Sequence, residues 1–177
     1  MISAISSQGK VRFMLYQDTM NQQRLIRFME RLVRSSGQKV FLILDNLKVH
    51  HGKLAAVWLE KNKEKIEVFF LPPYAPEYNP DEYLNHALKI SVHSGQLPYT
   101  TKDISHKIQS FMRKLQHHPS LVSSFFRHPA LVRILLRGAD GKGNITVQFQ
   151  HGQFCHLAHS GTALFYTNEK ICIGLFH

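Results

Sequence analysis

Cysteine is scarce in this chain: Cys155 and Cys172 are the only two among 177 residues, and they form no close pair. Two isolated thiols exclude a zinc-finger pattern or a disulfide framework and suit a reducing compartment. Acid is also short. Twelve Asp and Glu against 22 Lys and Arg leave a formal charge of +10. Basic surface supplies the sequence-independent part of nucleic-acid affinity, so this excess suits a polyanionic partner, with a merely basic soluble protein as the plainer alternative. Long apolar runs are missing too, which excludes a membrane span, and "MISAISSQGK" lacks the basic start and apolar core of a secretory signal. The cytoplasm is the expected compartment. What remains, 44% hydrophobic and 19% charged residues, describes a folded chain with one main domain.

The pattern along the chain reads as α/β. "MISAIS" and "KVRFMLYQ" look like hairpin strands around the turn "SQGK". Leu25, Ile26, Phe28, Met29, Leu32 and Val33 recur at helical spacing, Gly37 is the expected stop, and Asp18 the expected cap. "KVFLILDN" is a continuous apolar run, the mark of a strand covered on both faces in a largely parallel sheet. "HGKLAAVWLEKNKEK" predicts an amphipathic helix with Leu54, Val57 and Trp58 on its apolar side. "IEVFFLP" predicts a strand, and "NPDEYLNHALKISVHS", "TKDISHKIQSFMRKLQHHP" and "SLVSSFFRH" predict helices. After about Arg137 the character changes: only Asp140, Lys142, Glu169 and Lys170 are charged up to His177. Residues 1–137 are therefore expected to form the domain and 138–177 an appended tail, unrelated or disordered, although "NITVQFQ" could be a strand.

Two acids stand out. Asp45 follows the buried strand, at the kind of strand end where ligands gather in open α/β sheets; alone, Asp-Asn there also reads as a turn. Glu82 has a local explanation as well. Asn79 can cap a helix, Pro80 fits its first position, and Glu82 then falls at the capping-box place. That does not explain the stiff "LPPYAPEY" before it. Taken together, carboxylates from neighbouring element ends could share hard divalent cations, and two such ions serve phosphodiester chemistry. Asp81 should point elsewhere on the helix and is left out of this set.

"FLILDNLKVHHGK" followed by "IEVFFLPPYAPEYNPDEYLN" resembles the catalytic core of DDE transposases, in the bacterial insertion-sequence branch related to the mariner-type superfamily. The likeness covers roughly Ile2 to Arg133, and Glu82 falls 82 − 45 = 37 positions after Asp45, near the family's habitual interval. The resemblance implies an RNase H-like fold, as in retroviral integrases: a mixed sheet flanked by helices. It implies Asp45 and Glu82 as the second and third catalytic, metal-binding acids. It further implies two Mg²⁺ (or Mn²⁺) ions, and DNA (transposon ends and target) as the substrate of cleavage and strand transfer.

The family takes its first Asp from a strand ahead of the hairpin that opens this chain. With that first strand missing, and Asp18 a poor substitute, a truncated and catalytically incomplete copy is expected. Lys48, His51 and Lys53 are the candidate DNA contacts, although the polar start of a helix is the better account of His50 and His51. Protein partners that fit are a second copy or a full-length transposase; membrane is not expected, and DNA would draw the chain to the nucleoid. A DNA-binding remnant that interferes with transposition, and a stand-alone nuclease, are the alternatives.

Overall fold

In the computed structural model the described residues are 1–44, 52–70, 79–95 and 97–127, together with the backbone of four later strands. The chain opens on a hairpin, β1 (Ile2–Ser6) and β2 (Val11–Met14), paired antiparallel with Ile2 opposite Met14. Its turn needs glycine twice over. Gly9 has φ 86°, and a Cβ there would sit 2.2 Å from the Pro119 carbonyl oxygen.

Helix α1 (Gln22–Ser36) follows, burying Leu25, Phe28, Met29 and Leu32 as their spacing predicts. It ends on Gly37 in the left-handed region. Its cap is Asn21, whose side chain accepts from the Arg24 N–H at 2.9 Å, and not Asp18. Asp18 lies three residues further out, adopts φ 64° and pairs with Arg24 at 3.1 Å, so its carboxylate is occupied in the loop.

Next come β3 (Val40–Leu44), α2 (Lys53–Lys61), β4 (Ile66–Phe70), α3 (Pro80–His93), α4 (Thr101–Gln116) and α5 (Pro119–Phe125). Four strands close the described chain: β5 (Leu135–Arg137), β6 (Ile145–Gln148), β7 (Phe154–Leu157) and β8 (Lys170–Leu175). The main sheet is five-stranded, ordered β2-β1-β8-β3-β4. Strand β8 runs antiparallel to β1 and parallel to β3, and β3 runs parallel to β4, so the sheet is mixed. The possible strand in "NITVQFQ" is β6, the middle of a separate antiparallel sheet β5-β6-β7.

Period-two alternation along β1 sorts the core into two layers. Ile2 and Ala4 join Leu25, Phe28, Met29 and Leu32 of α1 on one face. Met1 and Ile5 join Leu84 and Leu88 of α3, Met112 of α4 and Val122 of α5 on the other. Helix α2 differs from its expected orientation. Ala55 is buried and Trp58 and Leu59 pack on the first core, whereas Leu54 and Val57 are more than half exposed. Positions 55, 58 and 59 share one face of a helix, and once α1 and β4 take that face, 54 and 57 turn outward. No described helix is long and apolar enough to cross a membrane.

Candidate active site

Strands β3 and β4 end side by side, with Leu44 opposite Phe70. Asp45, the next residue in the chain, lies outside the described residues, as do Lys48, His50, His51, Tyr74, Tyr78 and the prolines between 71 and 78. The structure therefore describes one edge of the candidate site: the strand ends, the start of α2 and the start of α3.

The start of α3 is built as "NPDE" predicts. Asn79 caps it, its side chain accepting from the Asp81 N–H at 3.1 Å, and Pro80 takes the first turn. The two adjacent acids then separate, since neighbours on a helix point about 100° apart. Asp81 turns inward and is fully buried. There the Ser3 hydroxyl donates to its two carboxylate oxygens at 3.1 and 3.2 Å. Glu82 turns outward and is exposed, with its backbone N–H bonded to the Asn79 carbonyl. Both carboxylates lie in the first turn, where the helix dipole favours negative charge. Asp81 thus points away from Glu82, as expected of neighbours on a helix. Its tie to Ser3, which fastens the helix start to the sheet beneath, is a role that the sequence reading missed. A serine in the middle of the largely apolar strand "ISAIS" was the available signal.

A second missed residue fixes the start of α2. The residue before this helix is Gly52, which carries no capping side chain, and Gln22 of α1 supplies the acceptor instead. Its Oε1 receives the N–H groups of Leu54 at 2.9 Å and Ala55 at 3.4 Å. A Cβ at Gly52 would lie 1.9 Å from that side chain, so glycine makes room for the substitute cap. Lys53, the first residue of α2, is exposed beside it. No local pattern around Gln22 could have revealed a partner 32 residues away.

One further orphan lies one turn along α3. Asn85 is buried, and its Oδ1 has no hydrogen-bond partner among the described residues. Nor do the described residues contain a cluster of three or more His, Cys, Asp or Glu able to hold a metal.

A mixed sheet with helices on both faces and a hairpin at one edge is the RNase H-like arrangement. The solved catalytic domain of Mos1 mariner transposase is similar to this chain, with a TM-score of 0.50 over 70% of each chain at 16% identity, a likeness of fold. Residues 1–105 match the family model described as DDE superfamily endonuclease, well over half of the chain, and the chain belongs to that family. No curated protein matches it.

Proposed function

We propose that this chain is a DNA-directed member of the DDE transposase group whose metal site is incomplete. The observation that carries the reading is the anchored start of α3, where the Ser3–Asp81 bond holds the first turn and Glu82 stands exposed on it. Asp45, directly after β3, and Glu82 are the carboxylates that would hold a divalent cation. Their oxygen donors fit Mg²⁺ or Mn²⁺. When bound, such an ion polarises a phosphodiester and activates the attacking water or 3′-hydroxyl. Lys48, His51 and Lys53 would meet the DNA phosphates.

Incompleteness is inferred from the sheet itself. The resemblance assigns the first Asp to a strand ahead of the opening hairpin in sequence; in this sheet the place between β1 and β3 is taken by β8. Its sequence, KICIGL, contains no carboxylate. Residues 1–137 are taken as the catalytic core and 138–177 as an appended segment whose last strand docks into the core sheet. The reading that follows is a chain that binds DNA, or pairs with a complete transposase, without transferring strands.

The test is the purified chain with Mg²⁺ or Mn²⁺, supercoiled plasmid and labelled duplex. Salt-sensitive binding that weakens in Lys48→Ala/Lys53→Ala, without nicking or strand transfer, is the expected result. Nicking by the wild-type chain that Asp45→Asn abolishes would replace incompleteness with a working nuclease. An absence of salt-dependent DNA binding would remove the DNA reading altogether.

A further inference from the structure

Helix α1 carries Arg24, Arg27, Arg31 and Arg34, at spacings of three, four and three. At 100° per residue these fall within about 80° of arc, a single stripe beside the core-facing residues. Arg24 is used locally. It donates to the Thr19 carbonyl, pairs with Asp18 at 3.1 Å and sits 5.7 Å from the Tyr16 ring centroid, pinning the loop that leads into the helix.

The other three differ. Arg27, Arg31 and Arg34 are exposed, and none has an ion-pair partner among the described residues. Glu30, the one acid on the helix, is also exposed and pairs with none of them. Glu30 and Arg34 are opposite charges at i,i+4 that stay unpaired, while Arg27 and Arg31 place like charges at that same spacing, which an ordinary solvated face avoids. Attraction to the helix C-terminus explains Arg34, in the last turn, but not Arg27 or Arg31.

The basic surface continues past the end of the helix. Arg12 of β2 donates to the Ser35 hydroxyl at 3.3 Å, and Lys10, Arg12, Ser35 and Ser36 line a small cleft there.

We propose that this face of α1 binds the phosphate backbone of duplex DNA, with Arg27, Arg31 and Arg34 as the contacts. The proposal rests on the DNA-directed reading above and adds a surface on a different element from Lys48, His51 and Lys53. Guanidinium suits the task, because its planar fork matches phosphate oxygens in pairs. From Arg27 to Arg34 the helix rises about 10 Å. Over that axial length one strand of B-DNA presents about three phosphates. The contacts read no bases, so the affinity they supply is independent of sequence.

Fluorescence anisotropy of a mixed-sequence duplex, titrated at several KCl concentrations, tests this. Relative to wild type, Arg27→Gln/Arg31→Gln/Arg34→Gln should flatten the slope of log K against log salt by about 2.7. At 0.1 M salt that is a loss of about 500-fold. The triple Lys variant, which keeps the charge, should retain the wild-type slope. Arg113→Gln/Lys114→Gln, on α4 at the opposite face of the sheet, should retain it too. Circular dichroism melts matching wild type would establish that each variant is folded. A wild-type slope in the triple Gln variant, or an equal flattening by the α4 pair, overturns the α1 site while leaving the DNA reading in place. A wild-type chain with no salt-dependent DNA binding overturns both.

Discussion

Replacing Ser3 with Ala removes one oxygen from a fully buried position, and with it the hydroxyl that donates to both oxygens of Asp81 at 3.1 and 3.2 Å. The void is small, so the lost bond dominates. Leaving a buried acceptor without its donor costs about 1–3 kcal/mol, and Ser3→Ala should cost that much. Asp81→Ala loses the same bond, strands the Ser3 hydroxyl and empties the space of a fully buried side chain. Its cost should therefore be larger, about 2–4 kcal/mol. Because a single bond is shared, the double variant should fall short of the sum of the two by about 1–3 kcal/mol. Urea unfolding followed by circular dichroism reads this directly. At a denaturant slope of about 2 kcal/mol per molar, Ser3→Ala should lower the midpoint by about 1 M. Hydrogen exchange at the first-turn amides of α3 should quicken in the same variant, since the strand no longer holds the turn that carries Glu82. Costs that add to within about 0.5 kcal/mol would show that the two side chains do not depend on each other, and the anchoring argument would fall.

Three other outcomes follow from the same structure. Gln22→Ala should cost about 0.5–2 kcal/mol, the usual range for a lost cap, and Gly52→Ala should cost a similar amount by pushing that side chain away; a melt in which only one of them matters would refute the shared mechanism. On α4, Asp103 and Thr100 exchange bonds at 2.9 and 3.1 Å, and the Thr100 hydroxyl and backbone N–H hold the Asp103 carboxyl below its ordinary value. A depressed folded value contributes stability above the unfolded pKa and loses it as pH falls through the folded one. The Tm gap between wild type and Asp103→Asn should thus be full near about pH 5 and close toward about pH 2; a gap that does not change with pH would refute the assignment. Removing residues 170–177 takes out the strand between β1 and β3, so cooperative unfolding should be lost; a truncated chain that melts like the full one would mean that β8 contributes nothing to the sheet.

Local chemistry explains which parts of this architecture could be read in advance. The hairpin, α1 with its stop at Gly37, strand β3 and the Asn-Pro start of α3 all follow from period and capping, which act within a few residues, although β3 buries only Val40, Leu42 and Leu44 fully and leaves Phe41 and Ile43 partly open. Leu54 and Val57 mark where that ends: α2 has apolar residues on more than one side, and contact with α1 and β4 chose Ala55, Trp58 and Leu59. The carboxylate pair was half legible. Spacing separated Glu82 from Asp81, but nothing near Asp81 pointed to Ser3, 78 residues away. Strand β8 was illegible for the same reason, because a short apolar run does not name the partners it will find across the chain.

That strand also sets the order of folding. Its backbone joins residues near 171–175 to partners in 2–6 and 41–43, so the centre of the main sheet closes only after the chain has been made as far as β8. Until then β1 and β3 present unpaired inner edges to whatever strand comes near. Closing a loop of that length is slow, and open edges are where newly made chains stick to one another. The protein should therefore lean on chaperones during synthesis more heavily than a sheet assembled from neighbouring segments would.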